Sequence, residues 1–300
     1  MARAQVSHAF LDYQYCTCDF RVVAGARNEN FYFVNLFMNN SPIGVLDSGS
    51  GGLSIYLSLR HLLHNESIFY VGDHAYNPYG DKSTEFIQDR VIKLARYLVD
   101  SGCKLIVIAC NTATIAGIDH VRKEFPQIPI IGVVPVIKTA ALESKTKHFI
   151  VLSTNFTADS GYQRQLIQTF ASGCTVTSVG SARLVTLIEE GQLDTEEVRA
   201  ELHHVFDRIK RDSYDVVVLG CTHFPFVRSA IRDMVGPGIQ IFDSGDAVAR
   251  HATRILTQMN MLSLSSHPSQ TFVTTGDSTK VAVLFERLLD KKVEVSHVAI

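Results

Sequence analysis

KLIVIACNTAT at Lys104–Thr114 and DVVVLGCTHFP at Asp215–Pro225 follow the same pattern. In each stretch, an apolar run rich in β-branched residues ends in a small residue, and a cysteine and several hydrogen-bonding side chains follow. The apolar runs, Leu105–Ile108 and Val216–Leu219, have the length and composition of strands that are buried on both faces. Each cysteine therefore lies where a central parallel strand ends, which is the edge of an open α/β sheet at which ligands bind.

The two cysteines, Cys110 and Cys221, are separated by roughly the length of one small α/β domain. Strand patterns alternate with helical patterns along the chain, which predicts parallel sheets with helices on both faces. We therefore predict an α/β fold of two similar doubly wound parallel-sheet domains, with the two cysteines facing each other across the cleft between them. The first domain is expected to span 42–136 plus 246–297, and the second 137–245.

Composition excludes several classes of protein. Of the 300 residues, 46% are hydrophobic and 19% are charged, which is typical of a globular chain with a substantial core. The net charge is −2 and no long block of Lys and Arg occurs, so we expect neither a nucleic-acid nor a membrane-surface partner. No apolar run approaches the roughly 18 residues that span a bilayer. Six cysteines without a secretory signal pattern favour reduced thiols in a cytoplasmic enzyme.

Residues 1–40 differ from the rest of the chain because they are rich in aromatic residues and have neither helical nor strand periodicity. Two hypotheses are open. The segment could be a disordered or loosely docked extension, or translation could begin at Met38, directly before the first predicted strand. The intact mass of the native protein would distinguish them.

A glycine-rich turn, Asp47-Ser-Gly-Ser-Gly-Gly-Leu-Ser, follows the predicted strand Ile43–Leu46 and precedes a helical pattern. A strand, a glycine-rich turn and a helix N-terminus together predict a nest of backbone N–H groups that binds anions. The turn is not a P-loop, because it lacks Gly-Lys-Ser/Thr, and it does not have the glycine spacing of a dinucleotide-binding fingerprint. The glycines and Ser54 suit the turn and the helix cap, so we expect Asp47 to be available for chemistry.

The polar neighbours of the two cysteines suggest acid–base chemistry at the thiols. His223 lies two residues after Cys221, and side chains two apart on extended backbone point the same way, so it could be a partner for this thiol. Asp47 could serve Cys110 similarly. A single cysteine ending a buried strand is more often an inert core residue, but two in matching positions favour a function. Disulfide exchange, nucleophilic catalysis and two-base proton transfer at a stereocentre all remain open.

Five segments, in this order along the chain, closely resemble the signature segments of the bacterial glutamate racemase family, whose wider group includes aspartate and hydantoin racemases. They are IGVLDSGSGGLS at Ile43–Ser54, NPYGDKS at Asn77–Ser83, ACNTAT at Ala109–Thr114, GCTHFP at Gly220–Pro225 and DSGDAVAR at Asp243–Arg250. The likeness covers roughly residues 42–295, and residues 1–40 lie outside the family pattern.

The resemblance implies a cofactor-independent racemase, without a metal, that interconverts L- and D-glutamate and supplies D-glutamate for peptidoglycan. Cys110 and Cys221 would be the two bases that exchange the α-proton, with Asp47, His223 and Glu189 assisting them. Glu189, the first acid of LIEEG, would support the histidine. The residues expected to bind the substrate are Asp47, Ser48, Tyr79, Gly80, Asn111, Thr112, Thr222 and His223.

The charge of glutamate agrees with this interpretation. The glycine-rich nest could hold its carboxylates, and donors such as Asn111 and Thr222 could stabilise the enolate that forms when the α-proton leaves. Aspartate racemisation and a non-catalytic amino-acid-binding protein on the same fold are the alternative hypotheses. Apolar helix faces could pack a homodimer, although the sequence does not identify which face.

Overall fold

The computed structural model describes residues 39–207, 209–210 and 213–300. Met38 and the segment before it, for which two hypotheses were open, lie outside the described residues.

Ten strands occur in the described chain, and they form two sheets in which every pairing is parallel. The first sheet has the order β10-β9-β2-β1-β3-β4, and the second has the order β6-β5-β7-β8. The strands are β1 (Ile43–Asp47), β2 (Ile68–Gly72), β3 (Leu105–Ile108), β4 (Ile130–Gly132), β5 (His148–Ser153), β6 (Thr175–Gly180), β7 (Val216–Leu219), β8 (Gln240–Phe242), β9 (Gln270–Thr274) and β10 (Val295–His297).

Helices connect these strands. They are α1 (Leu53–Leu62), α2 (Thr84–Asp100), α3 (Asn111–Glu124), α4 (Ile137–Glu143), α5 (Asn155–Ala158), α6 (Gly161–Phe170), α7 (Ala182–Glu189), α8 (Glu196–Phe206), α9 (Arg228–Val235), α10 (Gly245–Gln258) and α11 (Ser278–Leu289), with 3₁₀ turns at Tyr79–Asp81 and Phe224–Val227.

The two sheets repeat one topology. The order β2-β1-β3-β4 in the first matches β6-β5-β7-β8 in the second, so in each sheet the order of strand addition reverses between the two central strands. In the central pairs, Val45 lies opposite Val107 and Ile150 lies opposite Val217. Open α/β sheets bind ligands at such reversal points, outside the carboxyl ends of the strands. The predicted α/β fold with two similar parallel-sheet domains is confirmed.

The chain crosses between the sheets twice. The first sheet takes strands from 43–132 and from 270–297, whereas the second takes its strands from 148–242. Near the return crossing, Ser244 Oγ donates a hydrogen bond to the Val134 carbonyl at 2.7 Å. On this basis we propose domain boundaries close to residues 136 and 246. One large apolar cluster contains core side chains of both halves, so the halves pack together.

Several short elements differ from the sequence-based expectation. Helix α4 and strand β10 were not predicted, because a seven-residue helix and a three-residue exposed strand are too short for periodicity to identify. Helix α3 begins at Asn111, since Cys110 is its N-cap and the Cys110 thiol accepts the Ala113 N–H at 3.4 Å.

Candidate active site

One cleft lies at the carboxyl ends of both central strand pairs, and Cys110 and Cys221 both line it. The empty space in it, including open solvent at its mouth, is about 520 Å³. The side chains at its wall are mostly small and polar, and they come from both halves of the chain. The lining residues are Ser48, Asn77, Pro78, Tyr79, Gly80, Asp81, Cys110, Asn111, Thr112, Thr154, Asn155, Ala182, Val185, Cys221, Thr222 and His223.

Cys110 is held by neutral groups. The chain passes directly from β3 into α3, so the Cys110 thiol caps the helix and accepts from the Ala113 N–H. The Ser48 hydroxyl lies 3.5 Å from Cys110 Sγ. Burial, followed by the negative charge of Asp47, raises the pKa of the Cys110 thiol to about 12, against the weaker opposite effects of Ala113 and Ser48. Cys110 is therefore a thiol, not a thiolate, at neutral pH.

Asp47 lies behind Cys110 and does not line the cleft. It is fully buried, its Oδ2 accepts the N–H groups of Gly49 and Gly52 at 3.1 and 2.9 Å, and its Oδ1 has no hydrogen-bond partner within the described structure. Burial raises the pKa of the Asp47 carboxyl, although the charge of His223 and the bond from Gly52 lower it in part. Asp47, which was expected to be available for chemistry, thus also organises the turn through these two hydrogen bonds.

Cys221 has an ionisable partner. A 3₁₀ turn at Phe224–Val227 separates β7 from helix α9, so the residues after the strand fold back beside the thiol. His223 Nδ1 lies 3.7 Å from Cys221 Sγ, and His223 Nε2 lies 2.6 Å from Glu189 Oε1. Glu189 is the last residue of α7, and it reaches His223 from outside the cleft wall. The acid that the sequence assigned to the histidine therefore contacts it directly.

The Glu189–His223 pair is charged at neutral pH. Burial alone would lower the pKa of His223, but the hydrogen bonds to Cys221 and Glu189 raise it well above its ordinary value. Burial alone would raise the pKa of Glu189, but the hydrogen bond and charge of His223, together with His74 and the Ser50 N–H, lower it to about 2. His223 is therefore a charged group that lies between the Glu189 carboxylate and the Cys221 sulfur.

The N–H groups of the glycine-rich turn bind carboxylates of the protein itself. Gly49 and Gly52 donate their N–H groups to Asp47, and the Ser50 N–H donates to Glu189 Oε1 at 2.7 Å. The expectation that these three N–H groups hold the substrate's carboxylates is corrected. The expectation that Ser54 caps helix α1 is also wrong: Gly52 is the N-cap, and Ser54 Oγ donates to the carbonyls of Gly51 and Thr222.

Two glycines of this turn allow the close approach of the second half. A Cβ atom on Gly51 would lie 2.3 Å from His223 Nδ1, and one on Gly49 would lie 2.3 Å from Glu189 Oε1. Real Cβ atoms do not approach a polar atom so closely, so each position requires a glycine if the pair is to stay where it is. The glycines therefore serve the Cys221 side of the cleft, although they belong to the first half of the chain.

Tyr79 and Gly80 lie in the wall of the cleft. The Tyr79 hydroxyl donates to Asp73 Oδ2 at 2.5 Å, and Arg90 makes a two-pronged ion pair with the same carboxylate. Burial and the charge of Asp73 raise the pKa of Tyr79, so its hydroxyl stays protonated. Since the Tyr79 hydroxyl donates its hydrogen bond to Asp73, Tyr79 contributes its ring and backbone to the cleft rather than a free hydroxyl donor.

The remaining predicted residues also line the cleft. Thr112 Oγ1 lies 3.2 Å from Thr154 Oγ1, a hydrogen bond between the two halves. Asn111 Nδ2 makes a long contact of 3.4 Å with the Val133 carbonyl. Asn111 and Thr112 form the first turn of the 14-residue helix α3, whose N-terminus carries partial positive charge.

Sequence reasoning missed several residues. Thr154 and Asn155 line the cleft directly after β5, and the rule that strand ends carry ligand-binding groups could have found them. Asn77 and Asp81 belong to a segment that was singled out only for Tyr79 and Gly80. Ala182 and Val185 carry no chemical signal. Ser50 and His74 lie behind the wall, next to Glu189, and their role depends on tertiary contacts alone.

The described ranges lack both a metal-binding cluster and a membrane-spanning helix. They contain no group of three or more His, Cys, Asp or Glu side chains that could hold a metal ion. None of their helices combines the length and the apolar character needed to cross a membrane.

Comparisons with known proteins agree with this architecture. Residues 43–252 match the model of a family described as Asp/Glu/Hydantoin racemase. A glutamate racemase of Stutzerimonas stutzeri is 38% identical over 242 residues, which are 81% of this chain and 91% of that protein.

Solved structures give the same result. A glutamate racemase isoform from Bacillus anthracis superposes with a TM-score of 0.81 at 31% identity, covering 87% of this chain and 98% of that one. The Escherichia coli glutamate racemase, solved with L-glutamate and the activator UDP-MurNAc-ala, superposes with a TM-score of 0.77 at 30% identity, covering 86% and 97%. The chain belongs to the Asp/Glu/Hydantoin racemase family.

Proposed function

We propose that this chain interconverts L- and D-glutamate without a cofactor, by α-proton transfer between Cys110 and Cys221. The observation that carries the proposal is that both thiols line one cleft, each at the end of a central strand of its own sheet. The relatives named above are glutamate racemases, and the E. coli protein was solved with L-glutamate.

In one direction, the Cys221 thiolate takes the α-proton from one face of the substrate. The C–H electron pair moves onto the α-carbon and into the carboxyl group, forming an enolate. The Cys110 thiol then gives its proton to the opposite face, which leaves Cys221 as a thiol and Cys110 as a thiolate. The reverse direction uses the same two sulfurs with their roles exchanged, so protons and electrons balance in both directions.

The supporting residues divide between the two sulfurs. His223 stabilises the Cys221 thiolate, and Glu189 keeps that histidine charged and oriented. Asp47, buried behind Cys110, favours the protonated form of that thiol, which is the form that gives the proton in this direction. Ser48 holds the Cys110 sulfur.

The substrate is proposed to bind along the polar wall of the cleft. A carboxylate would lie at the N-terminus of helix α3, beside Asn111 and Thr112, where backbone N–H groups and the helix dipole favour negative charge. Thr222 and His223 would hold the opposite end, with Tyr79 and Gly80 closing the side. Donors fixed in this way would stabilise the enolate without reorganisation.

The proposed biological role follows from the reaction. We assign the chain to the cytoplasm, where D-glutamate would be supplied for peptidoglycan synthesis, and hence for cell-wall biogenesis and cell shape. A homodimer is the proposed assembly, which sedimentation of the purified protein would test.

The test is an exchange assay. Purified protein is incubated with L-glutamate in deuterated water without pyridoxal phosphate, and the α-proton signal and the circular dichroism of the glutamate are followed. We expect both to decay, with aspartate in a parallel sample decaying far more slowly. If neither signal changes while calorimetry detects glutamate binding, the protein is a binder rather than a racemase.

A further inference from the structure

Behind Glu189, the side chains of Ser50 and His74 make a series of hydrogen bonds that the proposed reaction does not use. Ser50 Oγ lies 3.0 Å from Glu189 Oε2 and 2.9 Å from His74 Nε2. His74 Nδ1 lies 2.8 Å from Thr274 Oγ1, at the end of strand β9. The arrangement links the last strand pair of the first sheet to the Cys221 side of the cleft.

The donors and acceptors in this arrangement have a single consistent direction. A carboxylate only accepts hydrogen bonds, so the Ser50 hydroxyl proton points to Glu189 Oε2. The Ser50 oxygen must then accept from His74 Nε2–H. This direction follows from the Glu189 carboxylate and the Ser50 hydroxyl alone. Both donors between His74 and Glu189 therefore point towards the carboxylate.

The position of the His74 ring is built into the fold. A Cβ atom on Gly72 would lie 2.4 Å from His74 Cε1, and one on Gly276 would lie 2.8 Å from His74 Cβ. The ring also packs on Phe285, with 5.7 Å between the ring centroids. Two glycines leave the space and an aromatic ring fills the remainder, so His74 has little freedom to leave Ser50.

The carboxylate of Glu189 is held at both oxygens. Oε1 accepts from the Ser50 N–H and lies against His223 Nε2, while Oε2 accepts from the Ser50 hydroxyl, with His74 Nε2 at 3.9 Å. Without the bonds to Oε2, the carboxylate could rotate about its last torsion and lose the short contact with His223.

We propose that His74, acting through the Ser50 hydroxyl, is a positioning residue that holds Glu189 against His223 and thereby tunes the Cys221 side of the cleft. The inference rests on the proposed function for its kinetic effect, but the placement of Glu189 is independent of any substrate. The charged or titratable groups around the pair are Cys221 and Asp47 near His223, and Tyr70, His74 and Asp47 near Glu189.

A double-mutant cycle tests the proposal. His74→Phe retains the ring packing and removes both nitrogens, and we expect kcat to fall about tenfold while KM changes less than about twofold. In the background of Glu189→Gln, the same His74→Phe change should alter kcat less than about twofold, because the residue through which it acts is already altered. Equal factors in both backgrounds, or no effect in either, would overturn the proposal.

A second measurement separates this proposal from the proposed function. The titration of the His223 imidazole is followed by nuclear magnetic resonance in the free protein, where no turnover is needed. We expect His74→Phe to move its midpoint to lower pH by about 0.5 units or more. An unchanged midpoint would contradict the proposal even if glutamate is racemised. A shifted midpoint in a protein that does not racemise glutamate would support the positioning role of His74 and contradict the proposed function.

Two further variants complete the design. His148→Phe is the matched control, because His148 Nε2 also bonds a threonine hydroxyl, Thr177 Oγ1 at 2.8 Å, at the start of strand β5 away from the cleft. It should leave kcat and the His223 midpoint unchanged. If His74→Phe does not fold, Ser50→Ala removes only the bridging hydroxyl and is judged by the same outcomes.

Discussion

The Cys110 and Cys221 sides of the cleft have the same topology but different chemistry. Cys110 follows β3 in the order β2-β1-β3-β4, and Cys221 follows β7, the matching strand of β6-β5-β7-β8. Cys110 contacts a hydroxyl and a backbone N–H, whereas Cys221 contacts an imidazole that is in turn bonded to a carboxylate. The difference arises just after each strand. Helix α3 starts at once after Cys110, so the thiol becomes its cap, while the 3₁₀ turn after Cys221 brings His223 beside the sulfur.

This difference teaches that a repeated fold supplies two positions but not two equivalent bases. At neutral pH the Cys110 pKa of about 12 leaves a thiol that can give a proton, while the Cys221 sulfur lies beside the charged imidazole of His223. Cys110 is thus prepared for the direction of transfer in which it gives the proton. The other direction must form a thiolate at Cys110, where Asp47 and burial both oppose negative charge.

Replacing either sulfur should have the largest effect. Cys110→Ser and Cys221→Ser should each lower kcat/KM for racemisation by about 10³-fold or more, because a serine hydroxyl is a far weaker acid than a thiol. Circular dichroism of glutamate, started from each enantiomer, measures the loss. Cys103→Ser is the control, since burial raises the pKa of the Cys103 thiol to about 12 as well but this side chain lies in the core away from the cleft. Retained turnover in either cleft variant would contradict the two-base assignment.

The addition of a single methyl group at Gly51 should disrupt only the Cys221 side of the cleft. In Gly51→Ala the new Cβ would lie 2.3 Å from His223 Nδ1, so the ring must move away from Cys221. We expect kcat to fall about 100-fold, which corresponds to about 2.7 kcal/mol, while Cys110 and its contacts stay intact. The control is Gly161→Ala, where the nearest atom to the new Cβ is 3.8 Å away. Equal activities of the two variants, measured by glutamate racemisation, would show that His223 does not depend on this close approach.

The smallest expected effect concerns stability at acid pH. The pKa of Glu189 is lowered from 4.5 to about 2 in the folded protein, so its contribution to folding is present above about pH 4.5 and is lost as the pH falls towards 2. Between pH 5 and pH 3 we expect this loss to lower the free energy of unfolding by on the order of 2 kcal/mol. Urea titrations at pH 5 and pH 3 measure it.

The same titrations on two variants sharpen the result. Glu189→Gln should unfold more easily at pH 5 and lose less stability between pH 5 and pH 3 than the unmodified protein. The neighbouring Glu190 is exposed, and Glu190→Gln should leave the pH dependence unchanged. An identical pH dependence for all three proteins would mean that the carboxylate of Glu189 is not held as described.

Much of the site could be predicted because its signals are local. The apolar runs before Cys110 and Cys221 identify buried strands, and the residues that follow a parallel strand lie at the ligand-binding edge. The chain proximity of Cys221 and His223 made their contact predictable. The glycine-rich turn was recognised as an anion-binding structure, but nothing local says which anion it binds, and its partners proved to be Asp47 and Glu189.

The sequence by itself determined the strand–helix alternation, the two strand-end thiols and the family signature, since each depends on short-range periodicity or spacing. Only the tertiary structure decided which side chains surround those thiols. Ser50 and Glu189 are separated by 139 positions, and His74 and Thr274 by 200. Contacts across such distances depend on strand order and on close packing to within a few tenths of an ångström, and no local pattern encodes either. The asymmetry between Cys110 and Cys221 is therefore a property of the folded chain.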